Sequence, residues 1–198
     1  MRVVAGLLLT AGLAFSQAVT PFSVIEVTRQ FDPAGKITSE SRFLFAMNRD
    51  GSIASVDLSP AARGTRQIID VTKRRTILVI PKSRSAAEST SASSLIAASD
   101  PCDLRFRKMA GAVVSVDRSA GMINGVPLER ISVVLPGGSA FEVLVAPSLA
   151  CHLMETRNFR NGSVSRSQTT ENLQLADPDP SLFEVPPDYQ LTRATLAQ

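Results

Sequence analysis

The sequence predicts a mainly β fold, a single curved antiparallel sheet of about ten strands. Three observations carry this expectation. Apolar side chains recur with period two rather than 3.6 from Phe22 onward. Turn-forming clusters interrupt the chain at intervals of roughly ten residues, the spacing of consecutive short strands. No segment alternates strand and helix as a parallel sheet would require. Short strands joined by tight turns give an antiparallel meander.

The elements follow in order. A first run, 22–31, carries Ile25, Val27 and Phe31 on one parity, and Asp32-Pro33-Ala34-Gly35 ends it. In the second, 36–47, Ile37, Phe43, Phe45 and Met47 alternate with Thr38, Glu40 and Arg42. Asn48-Arg49-Asp50-Gly51 then leads to runs 52–58, 65–72 and 75–81, the last two flanking Lys73-Arg74. Five further runs, 111–118, 126–135, 139–146, 151–159 and 163–175, are separated by Ser119-Ala120-Gly121, Pro136-Gly137-Gly138 and Asn161-Gly162. Asn-Gly between two such runs is a strong hairpin signal, because both residues tolerate the positive φ of a type I′ turn. Residues 82–101 are rich in Ser and Ala and show no strand pattern. They read either as a surface linker or as a short helix around Ala86–Ala98 that covers the apolar face with Leu95 and Ile96.

Large side chains gather on one parity in several strands: Ile25, Val27 and Phe31; Phe43, Phe45 and Met47; Phe141, Val143 and Val145. A curved sheet brings these rows together on its concave face. That face is then filled by a helix or loop, or left as a cavity for an apolar ligand. With nine Phe, one Tyr and no Trp, a carbohydrate-stacking surface is not expected.

The first residues, MRVVAGLLLTAGLAFSQA, place one cation before an uncharged run from Val3 to Phe15, followed by small residues. This is the pattern of a secretory signal peptide cleaved after Ser16 or Ala18. The run is shorter than the ~20 residues of a membrane span, and no cysteine follows it to take a lipid. Residues 1–18 are therefore expected to be removed and 19–198 to form one domain, periplasmic or secreted, with no stable membrane anchor after cleavage. Loss of Arg2 lowers the formal charge from +3 to +2, too weak and diffuse for nucleic acid. In an exported chain the even pair Cys102 and Cys151 reads as a disulfide.

Catalytic signatures are sparse. His152 is the only histidine, so spacing supports neither a metal site nor a Ser–His triad; it is expected half-exposed on a strand. The carboxylates are expected in turns and on outward parities. Asp177-Pro178-Asp179-Pro180 has acids without the alternating ligands of a cation loop, and proline after each Asp favours an extended chain. Lys73, Arg74 and Arg75 form a charged hairpin tip, and Asn161-Gly162-Ser163 has the form of a glycosylation acceptor. No catalytic residue, metal or cofactor is expected.

"MINGVPLERISVVLPGG", "FEVLVAPSLACHLM" and the terminal "DPDPSLFEVPPDYQL" resemble exported bacterial proteins of unknown function related to the outer-membrane lipoprotein carrier (LolA/LolB-like) superfamily. The matching pieces are an I-x-G strand start at Ile123–Gly125, an APxLxC piece at Ala146–Cys151, and P-x-x-F-x-x-P-x-x-Y at Pro180–Tyr189. The upstream "SRFLFAMNRDGSI" is similar to their paired N-terminal strands, and the resemblance spans residues 22–190. It implies a LolA-like half-barrel and a non-catalytic envelope binding protein. Such a protein holds an acyl chain, a lipoprotein or an envelope protein partner. A fully packed interaction module, or a hydrolase without a recognisable motif, is the alternative. The terminal segment is expected to act as a clasp. Phe183 and Val185 reach back to the sheet, Pro186-Pro187 stops further pairing, and Tyr189 follows.

Overall fold

The computed structural model describes residues 19–89, 102 and 111–194. The signal-peptide reading of 1–18 and the proposed helix beyond residue 89 lie outside these residues. Fourteen strands are present among the described residues. They are β1 (Phe22–Phe31), β2 (Ile37–Met47), β3 (Ile53–Asp57), β4 (Arg66–Asp70), β5 (Arg75–Ile80), β6 (Ser85–Ser89), β7 (Val113–Asp117), β8 (Met122–Ile123), β9 (Val126–Pro127), β10 (Glu129–Val134), β11 (Ala140–Ala146), β12 (His152–Arg160), β13 (Ser163–Gln174) and β14 (Gln190–Ala194). Twelve form one open, curved sheet in the order β14-β6-β5-β4-β3-β2-β1-β13-β12-β11-β10-β7, and β8 and β9 form a small separate hairpin.

The sheet is two meanders joined along β1. One runs outward from β1 through β2 to β6, and the other returns from β7 through β10, β11 and β12 to β13. β13 pairs with β1 from Ser23↔Gln174 to Gln30↔Arg166. The hairpin turns follow the local chemistry. Asn161 and Gly162 both take positive φ (51° and 78°) between β12 and β13, as a type I′ turn demands. The Asp32 side chain accepts hydrogen bonds from the backbone N–H of Ala34 and Lys36 and closes the β1–β2 turn. Two further corners use one device. Pro81–Ser83 and Pro147–Leu149 each form a 3-10 turn released by a left-handed residue, Arg84 (φ 48°) and Ala150 (φ 52°).

Three elements depart from expectation. The Ser/Ala-rich stretch begins as strand β6, so Ala86–Ser89 are extended rather than helical. Pairing to β5 on one side and β14 on the other overrides the weak strand propensity of Ser and Ala. The run 126–135 is broken at Leu128, which leaves β9 in a hairpin and β10 in the sheet. After Pro186-Pro187 the chain resumes pairing: β14 lies parallel to β6, from Gln190↔Ser85 to Ala194↔Ser89. The edge of β6 is therefore covered by a strand and not by a clasp that ends pairing.

The core comprises three clusters. Phe22, Val24, Met47, Leu149 and Met154 anchor the first, and Ile131, Val133, Val143, Val145 and Cys102 the second. The third, Ile68, Ile77, Val79 and Ala86, receives Val185 and Tyr189 from the C-terminal segment. Cys102 and Cys151 are disulfide-bonded across 49 residues of sequence. The bond ties the connection between β6 and β7 to the β11–β12 corner. A loop of that length contributes ~4 kcal/mol in the chain-entropy model. Reduction should therefore lower the melting temperature by roughly 8–16 °C for a domain of this size, read by circular dichroism with and without reductant. An unchanged melt would mean that the bond constrains nothing in the unfolded chain.

Candidate functional site

Residues opposed in a strand pair share a face of the sheet, so the register sorts the predicted apolar rows. Phe22 opposes Met47, Val24 opposes Phe45 and Glu26 opposes Phe43. Thr28 opposes both Ser41 and Gln168, Gln168 opposes Thr156, and Thr156 opposes Val143. Phe43, Phe45, Met47, Phe141 and Val143 thus share one face, hereafter the Phe45 face, and Val145 packs with Val143. Ile25 and Val27 do not share it. They oppose Leu44 and Arg42 on the other side, where Phe31 lines a cleft with Arg157 and Ser167. The expectation that all nine form one surface is corrected accordingly. Val27 is nevertheless fully buried. Its neighbours in the register belong to an ion-pair lattice in which Arg42 meets Glu171 at 2.7 Å and Arg29 meets Glu40 at 2.8 Å, and long basic side chains cover apolar surface with their stems.

The Phe45 face continues past the core. Phe45 opposes Ser55, Ser55 opposes Gln67, and Gln67 opposes Leu78 on β5. Met47 likewise leads through Ile53 to Ile69. Phe43, Phe45, Ile53 and Ile69 are half-buried and Leu78 is 42% exposed. An apolar row therefore runs from the packed centre through Met47 and Ile53 to half-buried Ile69, while Ser55 and exposed Gln67 separate Phe45 from Leu78.

Two ionisable groups sit in this row. Glu26 projects from β1 onto the Phe45 face, one alternation beyond Phe22 and Val24. His152 is delivered by the β11–β12 corner, where Ala150 and Cys151 both take positive φ (52° and 58°) before β12 begins. Left-handed conformations of non-glycine residues cost about 1–2 kcal/mol each, and the disulfide at Cys151 holds the corner. His152 is buried, contrary to the half-exposed position expected, with Phe22 at 5.0 Å and Phe45 at 4.6 Å between ring centroids. Its Nε2 lies 3.7 Å from Glu26 Oε1 and has no hydrogen-bond partner. Glu26 also departs from the expected outward carboxylates. Alternation with Phe22 and Val24 was the signal, masked by the equally apolar Ile25 and Val27 beside it.

Burial favours the neutral form of both groups. It raises Glu26 to about 7 and lowers His152 to about 4. At 3.7 Å the pair is thus a carboxylic acid beside a neutral imidazole through the weakly acidic range. No group of three or more His, Cys, Asp or Glu residues suited to a metal occurs among the described residues.

The C-terminal segment lies on the opposite face. Ile68, whose cluster it covers, opposes Ala54, and Ala54 opposes Ala46. Phe183 is half-buried in a 3-10 turn, Pro180–Phe183, capped by the Asp179 carboxylate. Val185 and Tyr189 pack on Ile77 and Val79, with Pro186 between them. Arg49 forms a forked pair with Asp177 at 2.8 and 2.9 Å, and the guanidinium's hydrogen bond lowers the Asp177 pKa. An open cleft of about 720 Å³ lies between this strap and the sheet, lined by Arg49, Asp70, Lys73, Pro178 and Phe183 among others. Its acids and cations largely pair with each other. The Lys73-Arg74-Arg75 cluster is part of this. Arg75 binds Asp70 and Glu88, and Lys73 reaches Asp70.

The pair on the Phe45 face dictates a pH signature. Glu26, raised from 4.5 to about 7, contributes stability that is full below the unfolded value and lost as pH rises through 7. His152, lowered from 6.5 to about 4, contributes stability that is full above 6.5 and lost as pH falls through 4. Each displacement is worth about 3 kcal/mol, and the two oppose each other between pH 4.5 and 6.5. Wild-type stability should be nearly flat in that window. Glu26→Gln should instead gain stability with rising pH, by up to about 3 kcal/mol, in urea titrations at successive pH values. A variant as flat as the parent would show that His152 is not buried neutral.

No protein-family model matches the sequence, and no curated protein does. Solved structures do. An uncharacterized conserved protein from Thermus thermophilus matches with a TM-score of 0.55 at 11% identity, over 88% of this chain and 91% of that one. MucB is similar over 88% of this chain at 13% identity and a TM-score of 0.45, and this chain spans 60% of its length. A LolA superfamily protein from Nitrosomonas europaea is similar over 86% of this chain and 91% of its own, at 12% identity and a TM-score of 0.36. The open curved sheet of this chain is the fold it shares with the Thermus thermophilus protein.

Proposed function

We propose that this chain is a non-catalytic exported binding protein of the cell envelope that holds an acyl chain, free or as part of a lipoprotein. One observation carries the reading: the apolar row of the Phe45 face, which passes from a buried centre at Phe22 and Val24 through Met47 to half-buried Ile53 and Ile69, on a sheet that does not close into a barrel. Monomeric proteins seldom leave a contiguous apolar strip open unless it binds something, and an extended strip suits a long aliphatic chain. The signal-peptide pattern of residues 1–18 and the LolA/LolB-like resemblance of residues 22–190 support export and this ligand class. Among the described residues no helix is long and apolar enough to cross a membrane. A second reading, an interaction module for an envelope protein, draws on the strap cleft, whose prolines and paired charges suit a polypeptide better than a lipid.

Native mass spectrometry of protein purified from its own host tests the first reading. The expected spectrum contains a species heavier than the polypeptide by the mass of one acyl lipid, lost on organic extraction. A spectrum holding only the bare polypeptide, together with failure to take up added acyl probe, would contradict it.

A further inference from the structure

We infer that Glu26 and His152 form a polar anchor for the uncharged ester group of an acyl ligand lying on the Phe45 face. This rests on the acyl-binding reading above and adds to it the chemistry of the ligand's head.

The argument begins with the orphaned atom. His152 Nε2 is buried and unpartnered, although Glu26 Oε1 lies only 3.7 Å away. A buried polar atom without a partner is destabilising, and an apolar residue at this position would avoid that cost. The imidazole is held between the Phe22 and Phe45 rings, which fixes its plane, so the atom waits for a partner in a set direction. Its neighbour is not sealed in: the Glu26 side chain keeps 20% of its exposure, against 6% for His152. Glu26 is therefore the member that a group arriving along the face meets first, with Nε2 behind it.

The surroundings set the ligand's charge. Glu26 is opposed by Phe43 on β2 and Thr170 on β13, and Thr170 donates its hydroxyl to the Leu153 carbonyl. The nearest ionisable groups on this face in the register are Asp57, opposite Phe43, and Arg166, opposite Gln30 near the far end of β1. Glu129, opposite Val145, is a further acid on this face. Among the described residues no cation therefore stands beside Glu26 except His152 itself, which burial keeps neutral. A ligand carboxylate would face an acid and a neutral ring in an apolar setting. An ester carbonyl can instead accept a hydrogen bond from the Glu26 carboxylic acid, and an adjoining hydroxyl can satisfy Nε2. A carboxyl kept protonated by burial is a better donor for this than a water-exposed one, and it is lost as a donor once it ionises near pH 7.

Two fluorescent probes with the same chain separate the possibilities: dansyl-undecanoic acid and its glycerol monoester, titrated into the full chain at pH 6 and pH 8. The ester should bind more tightly than the acid at both pH values. Its affinity should fall about tenfold between them, following the protonated fraction of a group titrating near 7. In Glu26→Gln, which cannot ionise, that ratio should drop to about one. Equal binding of both probes with a flat pH profile would overturn the anchor and leave acyl binding standing. Failure of both probes to bind at either pH would overturn the acyl reading, and the anchor with it.

Discussion

β6 and β7 are consecutive in the chain, yet β7 forms one end of the twelve-stranded sheet and β6 lies beside the other. Everything else in the architecture accommodates that separation. Cys102, between them in sequence, is buried against Ile131, Val133, Val143 and Val145 on the Phe45 face and bonded to Cys151. The second meander returns to β1, and β1–β13 pairing closes the two halves into one sheet. Such pairing joins residues far apart in sequence, so its loop entropy must be met before it stabilises anything. The covalent tie between Cys102 and Cys151 lowers that cost.

The two faces are covered by different means. The C-terminal strap covers the Ile68 side of the first meander, adds a parallel strand at β6 and is pinned by Val185 and Tyr189. The Phe45 face is covered by Cys102 over Ile131, Val133 and Val143, and its apolar row ends at half-buried Ile69 on β4. This asymmetry supports reading the Phe45 face as the binding surface and the strap as part of the scaffold. Glu26 and His152 lie in the row near its packed centre, where two polar groups in an apolar row have more to offer a ligand than to the fold.

Most of the strand pattern was legible because alternation and turn chemistry agree locally. Asn161-Gly162 and Asp32–Gly35 place their turns where the sequence puts them, and the even cysteine count points to the disulfide. What escaped depends on partners distant in sequence. Ser85–Ser89 is a strand only because β5 and β14 lie on either side of it. Gln190–Ala194 looks like a terminus after two prolines until β6 offers it an edge. The site was obscured by β1, where Phe22 and Val24 serve one face and Ile25 and Val27 the other. A strand apolar on both sides carries no sign of which parity faces the ligand, so Glu26 read as outward. His152 read as half-exposed because nothing local reveals the corner of left-handed residues that turns it inward.

The most direct measurement is a crystal structure of the full chain with an acyl glycerol ester bound. The account predicts ligand density along the Phe45 face, its chain beside Phe43 and Phe45 toward Ile69 and its ester within hydrogen-bond reach of Glu26. Density confined to the cleft beneath the strap, beside Phe183 and Pro178, would contradict it and move the function to the opposite face of the sheet.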